Sequence, residues 1–271
     1  MHVPQPLATM GGAIVLTCAG WVGHSTAQAP PREAPSAVTT QGPVPIHQEP
    51  RHRVVFEAGS TRVHDVQIPP GDTTLYHVHD TAILYVPISR SQTRSQVFGE
   101  DWRGAGESRA APGQPPAAPA PAPAPRPAPA GPQRVNSITS YVEKPVTHRV
   151  NNVGDSLFRL IAVVNRSTGS DKDTDDVSGL SAEPEVVNRY YRAHRVALGP
   201  GQSTGSHRHA MPVVVVMQTA GRVHVEGSPT AEIAGPGKLS FHDGAGSHQV
   251  KNVGSAPVEV IEVELRGGTP Q

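Results

Sequence analysis

A chain of 271 residues has room for two domains of ordinary size, and a formal net charge of zero with no Lys/Arg-rich run argues against nucleic acid as a partner. Aromatic residues make up only 4% of the chain, whereas Gly (27) and Pro (29) are abundant, which favours short strands and turns over long helices. The single cysteine, Cys18, lies near the N-terminus, so the rest of the chain has no disulfide, thiolate ligand or cysteine nucleophile.

In chain order, residues 1–27 read as a signal peptide. The stretch Met10 to Gly23 is mostly small and apolar, and the small residues before Gln28 suit cleavage after Ala27. The expected location is periplasmic or extracellular. A retained N-terminal anchor and lipidation at Cys18, after Val15-Leu16-Thr17, are the alternatives, and no stable membrane span is expected. Residues 28–48 are Pro-rich, polar and expected to be disordered. A first unit spans 49–166, where Val63-His64-Asp65-Val66-Gln67-Ile68 alternates up to the turn Pro69-Pro70-Gly71-Asp72, the period of a strand. Inside it, the Pro/Ala-rich stretch 103–132 cannot join a sheet and reads as an inserted loop, either sequence drift or a docking segment for a proline-reading partner. Residues 167–187 read as a polar linker. Its Asp171-Lys172-Asp173-Thr174-Asp175-Asp176 run lacks the Gly and Glu of a calcium loop. A second unit spans 188–266.

The units are copies of each other. Thr147-His148-Arg149-Val150-Asn151-Asn152-Val153-Gly154 returns 100 residues later as Ser247-His248-Gln249-Val250-Lys251-Asn252-Val253-Gly254. Pro70-Gly71, five residues and His77-Val78-His79 return as Pro200-Gly201, five residues and His207-Arg208-His209. The first offset is 100 residues and the second 130, and the difference matches the length of the inserted stretch. Residues i and i+2 of a strand share a face, so His77 and His79 project together, as do His207 and His209. With His148 and His248 arriving from another strand, each unit offers three imidazoles to a divalent transition metal: iron, manganese or zinc. Surface histidines of no function, or a centre that has lapsed in one copy, are the plainer readings.

These paired motifs resemble the cupin superfamily, and two copies resemble a bicupin. The family's first motif is matched by Gly71, His77 and His79, and by Gly201, His207, His209 and Gly221. The second is matched by His148 and Asn152, and by Gly237, His248 and Asn252. The resemblance implies an all-β fold of two tandem double-stranded β-helix, jelly-roll-like barrels. It also implies a metal-binding Glu, whose position falls on Leu84 in the first unit and Val214 in the second. The expected centres therefore have three histidines and no carboxylate.

Other candidates are weaker. His242, six residues before His248, is a candidate fourth ligand or acid/base group, though a half-exposed strand residue is the plainer reading. Gln218 shares parity with Val214 and Val216 and is expected to face the same interior. Tyr76 and Tyr85 are expected to pack, with Tyr85 a minor candidate donor to substrate. Asn152 and Asn252 are expected to set turns. No phosphate loop, nucleophile elbow or dinucleotide fingerprint occurs. The sequence thus predicts an exported, metal-binding bicupin with a small-molecule partner and a homodimer as one assembly. Three readings of its function stand: an iron-dependent dioxygenase, a non-catalytic ligand-binding or sensing module, and a zinc-type hydrolase or isomerase.

Overall fold

The computed structural model describes residues 42–104, 133–171, 179–244 and 246–267. The signal-peptide reading, Cys18, residues 28–41 of the Pro-rich segment, stretch 105–132 and linker residues 172–178 lie outside them. By contrast, residues 44–48, expected to be disordered, form a strand paired with His77–Val78 and a 3-10 turn with Ile46 buried, and Pro184–Val187 of the expected linker form a strand. The described residues form strands joined by turns, with one 3-10 turn at Ile46–Gln48.

The first barrel contains β1 (Val44–Pro45), β2 (His52–Ala58), β3 (Thr61–Ile68), β4 (His77–His79), β5 (Ala82–Ser89), β6 (Thr93–Val97), β7 (Trp102–Gly104), β8 (Asn136–Ile138), β9 (Val146–Asn152) and β10 (Phe158–Asn165). They make two five-stranded sheets, in the orders β1-β4-β9-β6-β7 and β2-β3-β10-β5-β8. The second barrel contains β11 (Pro184–Val187), β12 (Tyr191–Leu198), β13 (His207–Arg208), β14 (Val213–Met217), β15 (Arg222–Glu226), β16 (Glu232–Ala234), β17 (Leu239–His242), β18 (Ser247–Asn252) and β19 (Val258–Leu265). Its sheets run β11-β12-β19-β14-β17 and β13-β18-β15-β16. In each barrel two apolar sheet faces close on each other, as a β-sandwich must to bury its alternating side chains.

The repeated Asn-Val-Gly segments have one structural job in both copies. The buried Asn152 amide donates to the carbonyls of Ile68 and Ser156, while its Oδ1 accepts the Gly154 N–H. Asn252 does the same with Leu198, Ala256 and Gly254. Each side chain ties the end of its motif strand to a strand of the opposite sheet, which fixes where the histidine on that strand falls.

Strand parity separates three cores. One lies inside the first barrel and includes Val66, Ile68, Ile83, Ala162 and Val164. A second lies inside the second barrel and includes Val196, Val213, Val215, Val250 and Val260. The largest lies between the barrels, where Val63, Leu84, Val86, Ile161 and Val163 meet Tyr191, Val214, Val216, Ile261 and Val263. Phe56 and Phe241 stack across this seam with centroids 4.6 Å apart. The buried Tyr191 hydroxyl donates to the Ala82 carbonyl at 2.6 Å and accepts the Asn165 N–H at 3.0 Å. Leu84 and Val214 therefore do not stand where a metal-binding Glu would. They face the neighbouring barrel, and Ile83 and Val213 hold the inward positions beside them. Gln218 follows the seam as well, against the expectation that it lines the interior. Its amide donates to the carbonyls of Pro87 and Gln133, and its oxygen accepts from Arg195.

Candidate metal centres

In the second barrel β13 and β18 pair antiparallel with His207 opposite His248, so the registers of these two short strands put both rings on one inward face. His207, His209 and His248 come together there, all buried. A fourth group that sequence reasoning missed joins them. Glu262, on β19, is fully buried, and its Oε2 lies 2.9 Å from His207 Nε2, 3.2 Å from His209 Nε2 and 3.2 Å from His248 Nε2. The four ligand atoms lie within 4.8 Å of one another. The expectation of a centre without a carboxylate is thus corrected for this barrel. The acid comes from the last strand instead of from β14. Its signal was present in Val258-Glu259-Val260-Ile261-Glu262-Val263-Glu264-Leu265. Ile261, Val263 and Leu265 take the seam face, which leaves Glu262 and Glu264 on the inward face with Val258 and Val260.

Hydrogen bonds on the far side of the rings fix what they present to the centre. His207 Nδ1 faces the Gly205 carbonyl at 3.2 Å, and a carbonyl can only accept, so that nitrogen carries a proton and Nε2 is the one turned to the centre. His209 Nδ1 meets the buried carboxylate of Glu264 at 3.0 Å, the carboxylate–histidine arrangement that orients metal ligands. Burial alone would lower the His209 pKa, but bonds to Glu262 and Glu264 raise it to about 9. Burial would likewise raise Glu262, yet its bonds to His207, His209 and His248 hold it well below the usual carboxylate range. Three imidazole nitrogens and a carboxylate oxygen crowd one point, and His248 Nε2 sits 2.6 Å from His207 Nε2. Such a point needs positive charge at its centre, supplied by protons or by a metal ion. Three imidazole nitrogens and one carboxylate oxygen suit a divalent transition ion, so the residues fit a metal.

His242 lies beside this cluster without joining it. Its ring centroid is 5.3 Å from that of His248, its Nδ1 accepts the Gly244 N–H, and burial lowers its pKa. It is buried, where a half-exposed residue was expected.

In the first barrel β4 pairs with β9 in the equivalent register, His77 opposite His148. His77, His79 and His148 come together with ring centroids 4.8 to 4.9 Å apart, and His148 Nε2 lies 2.9 Å from His79 Nε2. The Glu262 position is Ala162 here, and the Glu264 position is Val164. A different residue takes the space. His52, on β2, stacks on His77 with centroids 4.4 Å apart, and the ligand atoms of His52, His77 and His79 lie within 4.8 Å of one another. Burial lowers His148 to about 4 and holds His77 and His79 further down, with repulsion from neighbouring histidines adding to it. All three are neutral bases at physiological pH. Tyr141 packs on His79 at 4.9 Å, and burial raises the pKa of Tyr141 and of Tyr85, its hydrogen-bond partner. Tyr76 lies away from the centre, in contact with Phe98 and under the Arg149 guanidinium.

Small double-sheet barrels with histidines from two facing strands define the cupin fold. This chain carries two in tandem and is a bicupin in fold. Several solved structures are similar to this chain. AerE from Microcystis aeruginosa matches with a TM-score of 0.52 at 12% identity, over 82% of this chain and 97% of that one. A cupin domain from Bordetella pertussis Tohama I matches 33% of this chain and 95% of its own at 24% identity, with a TM-score of 0.27. A salicylate 1,2-dioxygenase from Pseudaminobacter salicylatoxidans matches 76% of this chain and 71% of its own at 10% identity, with a TM-score of 0.44. No protein-family model and no curated protein sequence matches the chain. Among the described residues no helix is long and apolar enough to cross a membrane.

Proposed function

We propose that this protein is an exported bicupin whose second barrel binds a divalent transition metal at His207, His209, His248 and Glu262, and uses it to bind or transform a small molecule. The observation that carries the reading is the convergence of three imidazole nitrogens on one fully buried carboxylate oxygen, at 2.9 to 3.2 Å. Iron, manganese and zinc all suit such a donor set. Four protein donors leave positions open on an octahedral ion for water, a ligand or oxygen. The bound ion would supply Lewis acidity there and, if it is iron, a place for oxygen chemistry. The protein's own residues exclude bulk water, turn the ligand nitrogens towards one point and, through Glu264, fix the His209 ring.

The test uses full-length protein purified without a His-tag and reconstituted with iron, manganese or zinc. At least one tightly held equivalent per chain is expected, with one equivalent lost in His209→Ala and in Glu262→Ala. Less than about a tenth of an equivalent in the unmodified protein would sink the metal reading. Oxygen uptake with diketones, thiols and phenols then separates an oxygenase from a binding module, because only the former consumes oxygen with substrate. Export is supported by residues 1–27 alone, and secreted protein whose mass corresponds to cleavage after Ala27 would bear it out.

A further inference from the structure

We infer that the first barrel is a second metal centre of a different kind, an all-imidazole site in which His52 takes the place of the missing carboxylate. It would accept a borderline divalent cation such as zinc, nickel or copper in preference to manganese.

The residues show a compensated exchange. Equivalent strands pair β3 with β12 and β10 with β19, and in the same positions both barrels have a histidine bonded to a backbone carbonyl: His64 Nδ1 to His52 and His194 Nδ1 to Ala182. His52 and Ala182 are thus structural counterparts. The second barrel has Glu262 and a short Ala182. The first has a short Ala162 and His52. The acid is lost from one strand and an imidazole gained on another, both facing the same interior. A lapsed centre would keep the loss without the gain.

Three of the four rings keep or regain a support, whereas His79 loses the one its counterpart has, because Val164 stands at the Glu264 position and His79 Nδ1 is buried without a partner. His77 Nδ1 meets the Leu75 carbonyl at 2.9 Å, the counterpart of His207 on Gly205. That bond leaves His77 Nε2 carrying a lone pair, and this nitrogen is buried without any hydrogen-bond partner. His148 Nδ1 is held by Ser95 Oγ at 3.0 Å. His52 Nδ1 is held by Glu49 Oε2 at 2.6 Å. Glu49 is itself buried and fixed by the N–H groups of Arg51 and Leu75. A buried carboxylate behind a histidine is the usual outer support of a metal ligand. With Nδ1 occupied, these three rings have Nε2 left to ligate, and His79 Nε2 lies 2.9 Å from that of His148.

Four neutral donors leave the full charge of the ion uncompensated by any ligand. Imidazole favours zinc, copper and nickel, whereas manganese is favoured by carboxylate and water oxygens. The two barrels should therefore sort metals between them.

The experiment removes the second centre and reads the first. Full-length, untagged His209→Ala/Glu262→Gln protein is titrated with zinc by calorimetry, and its metal content is measured after desalting. One equivalent per chain should remain. Adding His52→Ala, or Glu49→Gln as the milder change that keeps the ring, should weaken zinc binding by roughly tenfold to a hundredfold or more. Copper bound in the double variant should show imidazole nitrogen couplings in its paramagnetic resonance spectrum, and excess manganese should not displace zinc. Loss of all zinc from the double variant overturns the inference. So does zinc affinity unchanged by both His52→Ala and Glu49→Gln, or displacement of zinc by equimolar manganese. The Proposed function stands or falls separately, on the His209 and Glu262 variants in otherwise unaltered protein.

Discussion

Glu264 touches no other member of the second cluster than His209, yet it decides how that ring is presented. Glu264→Gln keeps the shape and removes the charge, so metal affinity should drop roughly tenfold to a hundredfold, and the metal-free protein should lose part of the stability that the protonated His209 contributes. Calorimetric titration against chemical denaturation separates the two effects. Metal uptake here must also displace the proton that His209 holds in the metal-free state. At pH 7.5, loading the second barrel should release about one proton per ion, measured as the buffer dependence of the binding heat. In the first barrel His77, His79 and His148, held neutral by burial, should release almost none. The six motif histidines were legible in the sequence because their spacing repeats. Glu262 and His52 were not, because neither lies in a repeated segment. Each became visible only when the last strand and β2 were seen to face the same interior as the motif strands.

At the scale of the strand, parity decided what the family pattern could not. Val214 lies five positions after His209 and Val213 four; only the register of β14 against β19, with Val213 opposite Glu264 and Val214 opposite Val263, shows which one faces inward. The spacing alone left both open, which is why Leu84 and Val214 were placed in the wrong layer. Leu84→Ala should consequently cost about 2–5 kcal/mol by leaving a cavity in the seam, with metal stoichiometry unchanged. If metal is lost without a loss of stability, Leu84 faces the centre after all. The strands and their turns were well signalled by alternation and by Pro-Gly and Asn-Val-Gly segments. The pairing of one barrel's sheet with the other's was not, because it is made of apolar residues that read equally well as either core.

The molecule as a whole should show a peaked response to pH when free of metal. His64 and His148 are held at about 4 by burial, against an ordinary 6.5, so the unfolded chain binds protons that the folded one refuses, and stability falls as pH drops from about 6.5 towards 4. His209 behaves in the opposite sense. Its folded pKa of about 9 means that its contribution is complete below about 6.5 and lost as pH rises towards 9, a loss of up to roughly 3 kcal/mol. Urea midpoints in chelator should therefore be greatest near neutrality. With metal in the second barrel the alkaline fall should vanish, because the ion replaces that proton.

The seam has a further consequence for how the chain can be divided. Its largest apolar layer belongs to neither barrel alone: Leu84, Ile161 and Val163 of one barrel are buried in one cluster with Tyr191, Val214 and Ile261 of the other. Either half produced by itself would present that sheet face bare to water, a broad sticky surface of the kind that drives aggregation. Heat should consequently melt the two barrels in one step, and a cut between them should yield a tight complex of fragments in place of two free domains. What looks in the sequence like a duplicated unit is, in folding terms, indivisible.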